Sequence, residues 1–339
     1  PPAGVGASGA GHPPVPAGEA PAIQASRRPP SARDAAGVPD PAVAAALVWR
    51  AGLFTWIGTG LSLALAALVA ILQGFAFSWS SSANLGMALL ALGPLALALY
   101  ARRRERPGLA AGFAVFAAFS GFNRGALVLQ FPMASLAMPL VDGPLAAVDR
   151  MLGGDWPAHF AWMTANPTLM TVLVGIYGTL LLQMPLVCAL LAWQDRGRLA
   201  LLILANALAL GATVVLASLF PAESGLGFFG TPGYESEPLS QFHAVRDGSL
   251  RLLDLSVLSG IITFPSYHTI LAVLVLLACR GLPVICIPLV LLQLAIIFTT
   301  RGVGGHYFVD MVAGALIAVA AWQLSARLLG MRAGLALPA

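Results

Sequence analysis

Two short stretches in the C-terminal third of the chain carry the residues best suited to chemistry. One reads Phe264-Pro265-Ser266-Tyr267-His268-Thr269, the other Arg301-Gly302-Val303-Gly304-Gly305-His306-Tyr307-Phe308-Val309-Asp310. In the first, Pro265 and Ser266 have the form of a helix start, with His268 in the first turn. In the second, three glycines permit a tight turn and a close approach of backbone to ligand. His306 and Asp310 are four residues apart, hence on one face of the helix that follows. A carboxylate in that position selects the imidazole tautomer, and a histidine so held can attack an electrophile or move a proton. An acid one turn into an apolar helix is costly without a partner, and His306 is the partner at hand. A single histidine at a membrane interface is ordinarily just amphipathic, and Arg246 alone would be an ordinary loop residue. Two histidines, Asp310, and Arg301 with Arg246 on one membrane face favour a functional site.

The elements that must hold these residues follow from composition. Of 339 residues 58% are hydrophobic and 9% charged, against about a quarter charged in soluble domains. The implied fold is all-α: a polytopic bundle of about eight transmembrane helices. Apolar runs lie near 52–74, 84–100, 109–130, 168–193, 199–220, 266–279, 283–300 and 306–327. The Ala/Pro/Gly-rich stretch 1–45, with Arg27, Arg28 and Arg33, is expected to be a disordered tail. Residues 46–108 then form two accessory spans, and 109–330 a membrane-embedded core. Arg102, Arg103, Arg104 and Arg106 mark the loop after the second span as cytoplasmic. Counting outward from there leaves 13 of the 18 arginines inside, with both termini, and puts Arg124, Arg150, Arg246, Arg251 and Arg301 outside. The chain contains no lysine, and its net charge of +4 reports topology rather than nucleic-acid binding. Cys188, Cys279 and Cys286 sit in apolar runs and read as packing residues.

Two extracytoplasmic stretches are long enough to hold structure. The first, about 131–167, contains Asp142, Asp149, Asp155 and Trp156 and reads as short interfacial helices used for packing. The second, about 221–265, has a Gly-rich run with Phe228 and Phe229, then Glu235, Glu237, His243, Arg246, Asp247, Arg251 and Asp254. Residues Gly225 to Tyr234 could form a mobile cover over a site, or a loop resting on the membrane.

The two motifs resemble those of the type 2 phosphatidic acid phosphatase superfamily. Pro265-Ser266-Tyr267-His268 is similar to its Pro-Ser-Gly-His, and Arg301, His306 and Asp310 to its Arg…His…Asp motif. The likeness covers roughly 109–327 and puts the motifs before the fourth and sixth helices of a six-helix core. The family's Lys-initiated first motif is missing, and Arg246 or Arg251 would stand in for it. Thr300 replaces the usual Ser, and one residue fewer separates Arg301 from His306. Tyr307 after His306 resembles the inositol phosphorylceramide synthase branch. The resemblance implies an integral membrane lipid phosphatase or phosphotransferase working through a phosphohistidine. In it His306 is the nucleophile, Asp310 its orienting acid, and His268 the general acid and base. Arg246, Arg301, Arg251, Ser266, Tyr267, Gly305 and backbone amides would bind phosphate. The substrate would be a lipid phosphate or phospholipid, with no cofactor or metal. A transporter or flippase-like protein, or a scaffold with a degenerate site, are the alternatives, although transporters usually put charge near the midplane.

Overall fold

The computed structural model describes residues 41–78, 82–231, 236–282 and 286–331. The chain divides into two units, Pro1–Val38 and Pro39–Ala339, and every described residue belongs to the second. The tail expected over residues 1–45 therefore lies almost wholly outside the described residues.

In chain order the elements are α1 Pro41–Leu72, β1 Ala76–Phe77, α2 Ser82–Arg103, α3 Pro107–Ala134, α4 Asp142–Met151, α5 Trp156–Thr164, α6 Pro167–Gln194 and α7 Arg196–Leu219. There follow α8 Ser224–Phe228, α9 Glu237–Asp247, β2 Leu252–Leu253, α10 Tyr267–Cys279, α11 Cys286–Gly302 and α12 Phe308–Leu329. This is the all-α polytopic bundle that composition implied. Each expected span coincides with a helix: α1, α2, α3, α6, α7, α10, α11 and α12. The runs Val43–Leu72, Pro107–Ala134, Arg196–Phe228 and Phe308–Leu329 are each long and apolar enough to cross a membrane. α6 bends by 41° between Pro167–Leu180 and Leu182–Gln194 and makes a fifth if taken as one span. α10 has 13 residues, roughly 20 Å of helix against a hydrocarbon thickness of about 30 Å. One of its ends must be recessed. Apolar side chains face outward along the bundle, Leu182 at 69% and Trp193 at 86% exposure, a surface suited to lipid rather than water.

α1 begins some way before the expected 52. Arg50 looks like the polar end of the span, but its Nη2 donates to the Leu328 carbonyl at the end of α12 (3.3 Å). Leu47, Val48 and Ala51 are buried in the main core, and the Arg102 guanidinium lies over the Trp49 ring. The central helix is α7, which packs on α1, α3, α6, α10 and α12. Asp195 caps its start by accepting from Arg198 N–H (3.0 Å). Cys188 and Cys279 are buried in the same core; the Cys286 side chain lies outside the description. The two long stretches, about 131–167 and 221–265, are not loose. α4 and α5 occupy the first, α8, α9 and β2 the second. β1 pairs in parallel with β2, Ala76 opposite Leu252, tying the link between the first two helices to the second stretch.

Candidate active site

α10 and α12 start side by side because their backbones touch. Ser266 N–H donates to the Asp310 carbonyl (3.1 Å). A Cβ on Gly314 would fall 2.5 Å from the Ser266 carbonyl oxygen, so only glycine permits this approach. His268, in the first turn of α10, and His306, just before α12, consequently line the same two cavities. Tyr177 of α6 joins them: its hydroxyl lies 2.9 Å from His268 Nδ1, and the two rings are stacked with centroids 4.1 Å apart. A Cβ on Gly304 would sit 2.8 Å from His306 Cδ2 and 3.0 Å from the Tyr177 hydroxyl oxygen. Tyr177 has no motif around it, and nothing in the sequence marks it out among the apolar residues of α6.

His306 is 4% exposed. Burial pushes its imidazole down to about 4, with a hydrogen bond to the Thr263 carbonyl opposing the shift, so the ring is neutral at ordinary pH. Its Nδ1 is 3.4 Å from Asp310 Oδ2 but makes no hydrogen bond. Asp310 is fully buried. Its Oδ2 accepts from Tyr307 N–H (2.9 Å), capping α12, while Oδ1 has no hydrogen-bond partner. The pair expected from the four-residue spacing is thus in contact, with one carboxylate oxygen left over.

The first outer stretch does more than pack at an interface. Asp149 of α4, 1% exposed, accepts from Phe308 N–H (2.5 Å) and Val309 N–H (3.2 Å) through Oδ1, and pairs with Arg301 Nη2 through Oδ2 (3.1 Å). The helix start and the arginine expected to hold a phosphate are therefore already holding a carboxylate. Asp142, 2% exposed, accepts from the Tyr307 hydroxyl (2.9 Å) and Glu223 N–H (3.0 Å). Burial raises its carboxyl, and those two hydrogen bonds oppose the rise. Burial and the adjacent Asp142 carboxylate push the Tyr307 phenol upward, keeping it a donor. Asp142 and Asp149 are two helical turns apart and so share a face. That spacing was the readable signal for this clamp.

The remaining expected phosphate ligands have partners within the protein. Ser266 Oγ caps α10, accepting from Thr269 N–H (3.4 Å). The Tyr267 hydroxyl lies 2.8 Å from Asn123 Oδ1 and 2.7 Å from Asn206 Oδ1. A phenol has one hydrogen, so one amide must present its NH₂. Asn123 Nδ2 already donates to the Phe119 carbonyl (2.9 Å), which makes Asn206 that one. Gly305 adopts φ +70° and accepts from Gly225 N–H (2.8 Å). Arg246 donates to the Met138 carbonyl (2.9 Å) and lies over the Phe242 ring. Arg251 donates to the Val245 and Leu250 carbonyls and lies over Phe75. Within the expected cover, Gly225 lies against Trp156, where a Cβ would come within 2.3 Å of the indole, and Phe229 stacks on that same ring. Gly225 is thus closely packed, whereas Gly230, at φ +59°, has open space where a Cβ would go; Gly233, Tyr234 and Glu235 lie outside the described residues.

Two cavities meet at the histidines. The larger is about 520 Å³; Phe116, Phe119, Leu180 and Met184 are among its walls, and Ser120, Asn123, Arg124, Gln130 and Tyr267 are the polar side chains that line it beside the histidines. The smaller, about 220 Å³, is lined by Tyr177, Glu223, Ser224 and Ser236. Ser224 holds φ +83° there, a left-handed backbone that non-glycine residues rarely adopt. Among the described residues no group of three or more His, Cys, Asp or Glu is arranged to hold a metal.

A many-helix membrane bundle with paired histidines and a carboxylate at the start of its last helices is the architecture that results. A family model described as the PAP2 superfamily matches residues 143–324, more than half of the chain. The chain belongs to the PAP2 superfamily, and is a multi-pass, phosphatase-type membrane lipid enzyme. No curated protein and no solved structure gives a match.

Proposed function

We propose that this protein cleaves a lipid phosphate or phospholipid through a phosphohistidine on His306 and passes the phosphoryl group to water or an alcohol. The observation that carries the proposal is that His268 and His306 line both the 520 Å³ cavity and the 220 Å³ cavity, the second of which also presents Glu223, Ser224 and Ser236. A lipid donor and a water-borne acceptor can then reach the same two imidazoles through two different cavities. An entering phosphate meets His306 at Nε2. The ring proton then rests on Nδ1, 3.4 Å from Asp310 Oδ2, which stabilises it. Nε2 attacks phosphorus, the bond to the leaving oxygen breaks, and His268 donates a proton to that oxygen. His268 next takes a proton from the acceptor, whose oxygen attacks the phosphohistidine and frees His306.

Transfer to an alcohol is the reading we favour over hydrolysis. Tyr307 beside His306 resembles the inositol phosphorylceramide synthase branch, and Glu223, Ser224 and Ser236 offer hydrogen-bonding groups for a hydroxylated acceptor. An extracytoplasmic site agrees with helix direction: α10 and α12 begin at the histidines and run toward Arg280 and Arg327 at their other ends. The test is turnover of a panel of lipid phosphates by purified protein. His306→Ala is expected to abolish it while the protein still melts cooperatively. Asp310→Asn is expected to lower it on the order of 10⁴-fold, as in comparable carboxylate–imidazole relays. Full activity in His306→Ala overturns the mechanism.

A further inference from the structure

Arg124 lies in α3, ten residues before its end at Ala134, about 15 Å along the helix. A guanidinium so far inside an apolar helix is costly and is normally turned to the bundle interior or a cavity for a functional reason. Here it lines the 520 Å³ cavity together with His268 and His306, and its depth is tied to theirs. The preceding residue, Asn123, bonds the hydroxyl of Tyr267, the neighbour of His268. Among the described residues the cavity lining contains no Asp or Glu, so the compartment as a whole favours an anion. Its volume is that of a small-molecule site, roughly 300–1,000 Å³, and its walls are aromatic and aliphatic. Arg301, Arg246 and Arg251 take no part in it: none of the three lines either histidine cavity. Arg124 also lies upstream of residues 143–324, so the family match assigns it nothing.

We propose that Arg124 is the cation that holds the substrate phosphate, and that the donor lipid enters from within the bundle with its chain among Phe116, Phe119, Leu180 and Met184. This rests on the phosphotransfer reading above. A bidentate guanidinium–phosphate contact fixes the phosphorus in front of His306 while the apolar walls take the chain.

The experiment measures binding to full-length His306→Ala, which separates binding from turnover. The probes are phosphatidate or diacylglycerol in phosphatidylcholine vesicles, and inorganic phosphate. A preference for phosphatidate over diacylglycerol is expected. Adding Arg124→Gln should cut phosphatidate affinity about 10- to 100-fold, the usual weight of a charged hydrogen bond, with diacylglycerol unaffected. An unchanged preference overturns the proposal, as does equal weakening of both lipids, which is the mark of a structural role. If the Gln variant does not fold, Arg124→Lys is measured instead. It should lose a few-fold for phosphatidate alone, because an ammonium keeps the charge without the fork; an unaltered ratio overturns the proposal. Inorganic phosphate competing as well as phosphatidate would refute the lipid-entry half. Turnover surviving in His306→Ala would instead strike the phosphohistidine mechanism and leave these binding ratios standing.

Discussion

Around the start of α12, Asp142, Asp149 and Asp310 are each at most 2% exposed, and each accepts from a donor supplied by another part of the chain or by the helix itself. A few residues away, the compartment beneath His268 and His306 is open: about 520 Å³ of space, with Arg124 and the two imidazoles on its lining. The two regions use the same residue types for opposite ends. In the first region, Arg301, Asp149 and the first amides of α12 bond one another and hold Tyr307–Asp310 in place. A phosphate bound there would have to displace Asp149 from two amides and from Arg301, an intramolecular partner already in position. In the second region the cation and imidazoles face a volume. Proximity of an arginine to a catalytic motif in sequence is therefore a poor guide to which arginine meets the substrate.

Three substitutions can break or sharpen this contrast. The largest effect is expected from Gly304→Ala, whose Cβ would lie 2.7 Å from the Thr300 carbonyl oxygen and 2.8 Å from His306 Cδ2. Displacing the nucleophile by a fraction of an ångström to one ångström should lower kcat by about 100-fold, read by steady-state kinetics on a lipid phosphate. Undiminished kcat would mean that His306 is not held at the reacting geometry by this turn. Next comes Asp149→Asn. Removing the charge opposite Arg301 breaks a pair whose side chains are 2% and 15% exposed, which should destabilise the protein by about 3 kcal/mol, seen as a lower melting temperature in detergent. If Arg301 instead binds substrate, freeing it should lower KM with little change in melting. The smallest effect is expected from Tyr267→Phe, which removes the hydroxyl shared by Asn123 and Asn206 at about 1–2 kcal/mol with KM unchanged. A raised KM at unchanged stability would return Tyr267 to the phosphate site.

Much of this was legible along the chain. Apolar runs with few charges can only be satisfied by helices in lipid, so the eight long helical segments were readable even where, as at Arg50, a boundary charge turned out to be paired across the bundle. His306 and Asp310 were readable because their partnership is set by helical spacing, and His268 because a Pro-Ser start places it in a first turn. What could not be read were the contacts made between distant segments. Tyr177 reaches His268 across 91 positions, Tyr307 reaches Asp142 across 165, and Arg301 reaches Asp149 across 152.

Local rules of spacing and hydropathy thus determined the helices, the paired histidines and the carboxylate beside one of them. Only the tertiary structure decided which charges join the frame around α12 and which line the cavity. The physical reason is that an arginine's environment depends on where folding sets down a carboxylate from another helix. Arg301 met Asp149 in that way, and Arg124, expected with four other arginines on the extracytoplasmic side, lies within α3 and lines the compartment that His268 and His306 share.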